Sequence, residues 1–227
     1  MSLINGCTEV SSEEEFYDKA LDYWKSIPST LNGMLGGYEH ISSIDVRGSQ
    51  SFLKYFVQGK QKMALNRALD CGAGIGRVSK QLLLPMFKTV DLVEVNQAFL
   101  DQAKTYLGAE AKRVGKYICC GLQDLKLEEK TYDLIWVQWV TGHLTDEHFV
   151  KFLQQCKHGL CNGGIVVIKD NVAVEGVELD SVDSSVTRNI QQLQKIFDAS
   201  GLRTLRQQKQ THLPKELYRV TMTALGS

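Results

Sequence analysis

Residues 68–77 read ALDCGAGIGR: a short apolar run closes on Asp70, and glycines follow at 72, 74 and 76. This is the pattern of a strand turning into a helix. Glycine lets the backbone reverse sharply and lets a ligand lie against it. A dinucleotide fingerprint places its third glycine one position later, for close helix packing beside a pyrophosphate. Here that later position is Arg77. A cation beginning a helix suits a ligand carboxylate better than it suits close packing. The methionine end of S-adenosylmethionine carries such a carboxylate. The turn therefore points to that cofactor, although it does not by itself exclude a dinucleotide.

On the C-terminal side, strand and helix patterns alternate. Residues 78–84 open a helix, 90–95 read as the second strand and 98–107 as a helix. Residues 117–120 and 132–137 form the third and fourth strands, with a helix near 146–158. Residues 164–169, GIVVIK, form the fifth strand, 186–199 read as a helix, and 202–209 and 218–224 as the last two strands. Such alternation predicts an α/β, Rossmann-like parallel sheet with helices on both faces, and ligands at the carboxyl ends of its strands. On the N-terminal side, Ser11 or Ser12 with Glu14 and Glu15 resembles a capping box for a helix running to about Ser26, before Pro28. Residues 33–38, GMLGGY, form a glycine-rich loop, and 49–57 look like a second amphipathic helix.

The whole chain sets bounds on these readings. Its 227 residues suffice for one sizeable domain, and with 3 prolines and no spacer-like run no linker divides them. Lys plus Arg and Asp plus Glu both total 26, so a broad nucleic-acid surface is not expected. None of the 6 cysteines forms a C-x-x-C pair, which argues against a zinc or disulfide framework. No apolar run resembles a signal peptide or could span a bilayer, so the expected compartment is a reducing one, cytosolic or nuclear.

Further candidates sit at other strand ends. Glu94 follows the turn by about 20 residues, where an acid that accepts from ribose hydroxyls is expected. Leu122, Gln123 and Asp124 follow the third strand and could frame an adenine. Gln138 lies just past the fourth. Each also has a bland reading: a glycine turn occurs in many α/β loops, Glu94 could be a solvated strand end, and Gln123 and Asp124 could begin a loop. Together, in order, each at a carboxyl edge, they favour nucleoside binding.

Five stretches resemble one family: GMLGGYEHISS at 33–43, DCGAGIGR at 70–77, IWVQWVTGHLT at 135–145, VIKDN at 167–171 and LDSVDSS at 179–185. They are similar to the α-N-terminal protein methyltransferases, also called N-terminal Xaa-Pro-Lys methyltransferases, from Phe16 to about Ala224. The resemblance implies a seven-stranded class I S-adenosylmethionine-dependent fold with its last strand antiparallel. It also implies an N-terminal helical cover (1–57) over a Rossmann-like core (58–227), in a single domain. The implied substrate is the free α-amine of proteins beginning Xaa-Pro-Lys or Xaa-Pro-Arg after removal of the initiator Met. S-adenosylhomocysteine is the implied product, no metal is implied, and the nuclear part of the localisation rests on this resemblance. By position, Gly72, Gly74, Arg77, Glu94, Leu122, Gln123 and Gln138 would bind cofactor. Trp24, Leu35, Gly36, Trp139, Asn171, Asp180, Asp183, Ser185 and Tyr218 would line the peptide groove. Asp183 and His143 would be bases, with Asn171 beside them. Glu94 stands where the family often has Asp, and either can hold a ribose diol.

The chemistry suits those residue types. An α-amine has a pKa of about 7.7–8.0, against about 10.4 for lysine. Its proton is loosely held, so a His and an Asp nearby suffice, and positioning supplies the rest. Proline at substrate position two holds residue one extended; its ring could pack on Trp139, with Leu35 as a further apolar wall. Gly36 would admit the peptide backbone, and Asn171 can accept from the amine and donate to a carbonyl. Asp180 and Asp183 would face the basic third residue. Blander readings exist here too. Asp183 with the two serines after it resembles a helix N-cap, His143 could cap a loop, Trp139 could be core as Trp136 is expected to be, and Trp24 could only hold the cover down. The alternatives to weigh are a methyltransferase of a small amine or another protein site, a binding domain without turnover, and a nicotinamide-dependent oxidoreductase.

Overall fold

A computed structural model of the chain describes residues 3–7, 9–10, 12–59 and 62–227. Its elements in chain order are α1 (Glu13–Ser26), α2 (Leu31–Met34), α3 (Ser42–Gln58), β1 (Arg67–Cys71), β2 (Thr89–Glu94), α4 (Gln97–Leu107), β3 (Val114–Cys119), β4 (Tyr132–Gln138), α5 (Asp146–Gly159), β5 (Leu160–Val172), β6 (Val177–Asp180), β7 (Ser185–Arg188), α6 (Ile190–Ser200), β8 (Arg203–Lys209) and β9 (Arg219–Gly226). Seven strands make one sheet in the order β3-β2-β1-β4-β5-β9-β8. The pairs from β3 to β5 are parallel, and β9 runs antiparallel to both its neighbours. β6 and β7 form a separate antiparallel hairpin beside it.

Local chemistry explains most helix ends. Ser12 caps α1 by accepting from the Glu15 amide at 3.3 Å, with three acids in the first turn, and the helix ends before Pro28. The alternative cap, Ser11, lies outside the described residues. Thr145 and Asn189 cap α5 and α6 in the same way. β4 is buried along its whole length, as expected for a strand covered on both faces. α3 and α4 cover one face of the sheet, with Phe52, Leu53 and Leu100 in a cluster that includes Trp136; α5 and α6 cover the other through Phe149, Phe152 and Phe197.

Three expectations need correction. The second N-terminal helix begins at Ser42, not residue 49, because Ser42, Asp45 and Ser49 are themselves buried and held by polar partners. The helix expected over 78–84 is one wide turn, Ser79–Leu83, with Pro85 just beyond it. The helix expected from 186 begins only at Ile190. Val186 and Thr187 instead pair across β6 with Leu179 and Glu178, as β-branched residues on a half-buried ribbon do. Asp183 is therefore in a hairpin turn and is no helix cap.

Candidate active site

The glycine turn after β1 opens on a cavity of about 300 Å³ at the carboxyl edge of the sheet. Gly72 and Gly74 have φ of 68° and 54°, values that suit glycine. A Cβ on Gly72 would sit 2.8 Å from the Val140 side chain. Glu94 closes β2 beside the turn. Its Oε2 accepts from the Gly74 amide at 3.0 Å and its Oε1 from the Asn96 amide at 2.9 Å. Burial raises this carboxyl, and the backbone donors pull the other way. Each oxygen keeps a second lone pair for a ligand hydroxyl. Leu122 and Gln123 follow β3 and line the same cavity, as do Arg77 and Gln138.

Arg77 is more constrained than its sequence position suggests. It is 4% exposed and donates to Asp45 Oδ2 at 2.8 Å, with its guanidinium 5.5 Å from the centre of the Trp139 ring. Asp45 of α3, which no sequence motif marks, is the hub here. It also accepts from the Gln138 amide at 2.9 and 3.0 Å and from Lys169 Nζ at 2.5 Å. Burial alone would raise the Asp45 carboxyl, but the Arg77 and Lys169 cations outweigh it and hold it below the usual range. Lys169, fully buried, is lowered to about 8 by desolvation against the pull of Asp45. The traces of this cluster in the sequence are Arg77 after the glycines, Gln138 at the end of β4 and Lys169 within the VIKDN stretch. Asp45 leaves none, because its partners lie 32, 93 and 124 residues away.

A second cavity of about 230 Å³ adjoins the first, and Trp24, Met34, Trp139 and His143 line both. Trp139 leaves β4 with φ of 53°, its amide donating to the Lys169 carbonyl at 3.0 Å. Leu35, Asn171, Asp183, Ser185 and Tyr218 line the second cavity. Tyr218, 46% exposed, donates to Glu178 Oε2 at 2.7 Å. Two expected groove residues stand apart. Gly36 lines neither cavity, and Asp180 is exposed on the hairpin, where it accepts from the Val182 amide.

Three acidic or imidazole groups border the second cavity. Asp170, which follows Lys169 and carries no signal of its own in the sequence, accepts from Thr141 through both its amide and its hydroxyl, and burial raises it. Asp183 Oδ1 is buried without a hydrogen-bond partner among the described residues. His143 accepts at Nε2 from the Trp24 indole N–H at 2.9 Å, and its Nδ1 lies 3.3 Å from the Ser184 carbonyl. No group of three or more potential metal ligands occurs among the described residues, and no helix is long and apolar enough to cross a membrane.

The first cavity fits S-adenosylmethionine on its own chemistry. Glycine backbone leaves room at the turn, a buried acid stands at the diol position, and a buried guanidinium lies beside the turn. This sheet order with this site defines a class I S-adenosylmethionine-dependent methyltransferase, and a SAM-dependent methyltransferase from Leishmania major matches with a TM-score of 0.88 at 38% identity, over 92% of this chain and 82% of that one. A family model described as AdoMet dependent proline di-methyltransferase matches residues 12–226, and the chain belongs to that family. N-terminal Xaa-Pro-Lys N-methyltransferase 1 of Homo sapiens is 54% identical over 217 residues, 95% of this chain and 97% of that protein. The Danio rerio protein of that name is 52% identical with the same coverage. A Burkholderia thailandensis 1,6-didemethyltoxoflavin-N1-methyltransferase, 15% identical with a TM-score of 0.74, shares the fold.

Proposed function

We propose that this methyltransferase acts on the free α-amine of proteins that begin Xaa-Pro-Lys or Xaa-Pro-Arg once the initiator Met is removed. The observation that carries the reading is the pair of adjoining cavities. The second holds a carboxylate oxygen, Asp183 Oδ1, that has no hydrogen-bond partner among the described residues, and it opens beside the first across Trp24, Met34, Trp139 and His143. The names of the close relatives point the same way.

Gly72, Gly74, Arg77, Glu94, Leu122, Gln123 and Gln138 hold the cofactor in this reading. When bound, it supplies an electrophilic methyl group on sulfonium sulfur and leaves as S-adenosylhomocysteine. The chain's own task is to present a neutral amine. Asp183 accepts the ammonium proton, a modest step for a group with a pKa of about 7.7–8.0. Asn171, whose side chain makes no hydrogen bond with the described residues, accepts from the amine or donates to the first carbonyl. Trp139 and Leu35 flank the proline ring. Asp180 faces the basic third residue from the hairpin, and Tyr218 and Ser185 border its path. The groove's outer end thus selects the sequence, and its inner end performs the chemistry.

The test is mass spectrometry of an Ala-Pro-Lys peptide after incubation with enzyme and S-adenosylmethionine. Methyl increments on the N-terminal residue are expected, with none on an N-acetylated copy. Asp183→Asn should lower kcat by a factor on the order of 100 or more while leaving cofactor affinity unchanged by calorimetry. Methylation of the lysine side chain, or of the acetylated peptide, would reject the reading in favour of another protein site or a small amine.

A further inference from the structure

Lys169 ends an apolar run of β5 and is fully buried, yet it lines neither cavity, and neither does Asp45. Its Nζ is ringed by acceptors: Asp45 Oδ1 at 2.5 Å, and the Asp45 carbonyl, Ser49 Oγ and Gln210 Oε1, each at 2.9 Å. An ammonium has three protons, so none is left for a ligand. Lys169 therefore reaches the site only through Asp45.

Asp45 in turn holds two groups that do line the cofactor cavity. Arg77 gives it Nη1, which also lies 3.4 Å from Ser42 Oγ; its Nε and Nη2 make no hydrogen bond with the described residues. Gln138 is held at both ends. Its Oε1 accepts from the Trp136 indole N–H at 3.0 Å, and its Nε2 donates to the two Asp45 oxygens at 2.9 and 3.0 Å. One carboxylate thus sets the orientation of a guanidinium and of an amide, and it leaves donors of Arg77 for a ligand.

Charge is the second part. Arg77, Lys169 and Asp45 are all buried. Buried charges of this kind contribute little net stability, because desolvation offsets their attraction. Desolvation lowers Lys169 to about 8, so it still carries its proton near neutral pH. Without Lys169, Asp45 would cancel the charge of Arg77. With it, the three groups carry one net positive charge beside the glycine turn. The methionine end of the cofactor has one carboxylate, and Asp70, which lines the same cavity, suits the ammonium next to it.

We propose that Asp45 and Lys169 are positioning residues for the cofactor: Asp45 aims Arg77 and Gln138 at the cavity, and Lys169 neutralises Asp45 so that the charge of Arg77 is available to the cofactor carboxylate. This role lies wholly on the cofactor side and is the same whichever amine receives the methyl group.

S-adenosylmethionine and its decarboxylated form differ by that carboxylate alone, and calorimetry without peptide reads the affinity for each. Lys169→Met keeps most of the side-chain length and removes the charge. Its Kd for S-adenosylmethionine should rise about tenfold to a hundredfold, the range for losing a hydrogen bond to a charged group. Its Kd for the decarboxylated form should not rise. Adding Asp45→Asn removes the carboxylate that is no longer offset. Lys169→Met with Asp45→Asn should therefore bind S-adenosylmethionine about threefold or more tightly than Lys169→Met alone, a non-additive gain between neighbours. Simple packing by Lys169 predicts the opposite: both ligands weakened alike, and the double variant no better than the single one. Either of those results overturns the proposal. Circular dichroism verifies folding. If Lys169→Met does not fold, Lys169→Gln, which keeps a donor for Asp45 without the charge, takes its place with the same expected and overturning results.

Discussion

Asp70 shows how much a single residue at this site costs the fold. It closes β1 beneath the glycine turn, is buried, and is bonded by the Ser79 hydroxyl at 2.7 Å. Burial pushes its carboxyl up to about 6, against the pull of Ser79 and Arg77. An acid whose folded pKa exceeds its unfolded value of about 3.9 binds its proton more tightly when folded. Its contribution is therefore favourable below about pH 4 and is lost as pH rises to about 6. Above that, the charged form costs on the order of 3 kcal/mol, because each tenfold change in proton affinity is worth about 1.36 kcal/mol. Asp70→Asn should raise stability at pH 7.5 and flatten its pH dependence between about pH 4 and 6, measured by urea unfolding across that window. A variant less stable than the parent at pH 7.5, with the same pH slope, would contradict this. The strand end and its acid are plain in the sequence, because Asp70 closes the apolar run just before the glycines. That it is buried and held by Ser79 is not, since depth depends on what covers the turn.

The hairpin β6–β7 carries Asp183, Asp180 and Ser185, and it is the element least legible in the sequence. Residues 186–199 have enough helical periodicity to read as one helix, whereas pairing with Val177–Asp180 decides the strand. What fixes the hairpin to the core is Arg188, 2% exposed. It donates to Asp146 Oδ1 at 2.8 Å and to the Thr141 and Leu144 carbonyls at 3.1 and 2.6 Å. Arg188→Met removes all three donations and leaves buried acceptors unpaired. A loss of about 3–5 kcal/mol is expected, the range for breaking a buried pair. Turnover should fall further than stability at temperatures where the sheet remains folded, because Asp183, the proposed base, is carried on this hairpin. A denaturant midpoint near that of the parent, with full turnover, would show that Arg188 anchors nothing. α1 poses the same problem in milder form. Its cap and its end are readable from Ser12, the three acids and Pro28, but the bonds that seat it on the site run from Trp24 to His143 and from Tyr17 to His148.

At the scale of the molecule, the sheet gathers residues from α1, the turns after β1 to β5, and the hairpin along one edge. Ligand binding and folding are therefore linked. At about 100 times its Kd, S-adenosylhomocysteine should add about 2.7 kcal/mol, or roughly 5–10 °C in Tm for a chain of this size. Differential scanning fluorimetry reads this directly. NADH at the same concentration should leave Tm in place, and a matching rise with NADH would reopen dinucleotide binding.

The alternating α/β order, the cofactor edge and the chemical class of the ligand are all legible along the chain. They follow from short-range features: an acid and glycines within seven residues, Arg77 where a dinucleotide binder needs glycine, and acids or amides directly after apolar strands. Which charges meet is a matter of packing. The folded chain sets Asp45 between Arg77 and Lys169, leaves Asp183 Oδ1 without a partner among the described residues, and seats His143 between the Trp24 indole and the Ser184 carbonyl. The physical reason is range. Backbone turns depend on neighbours along the chain, whereas a buried polar side chain takes its protonation and its role from whatever packing brings within about 3 Å.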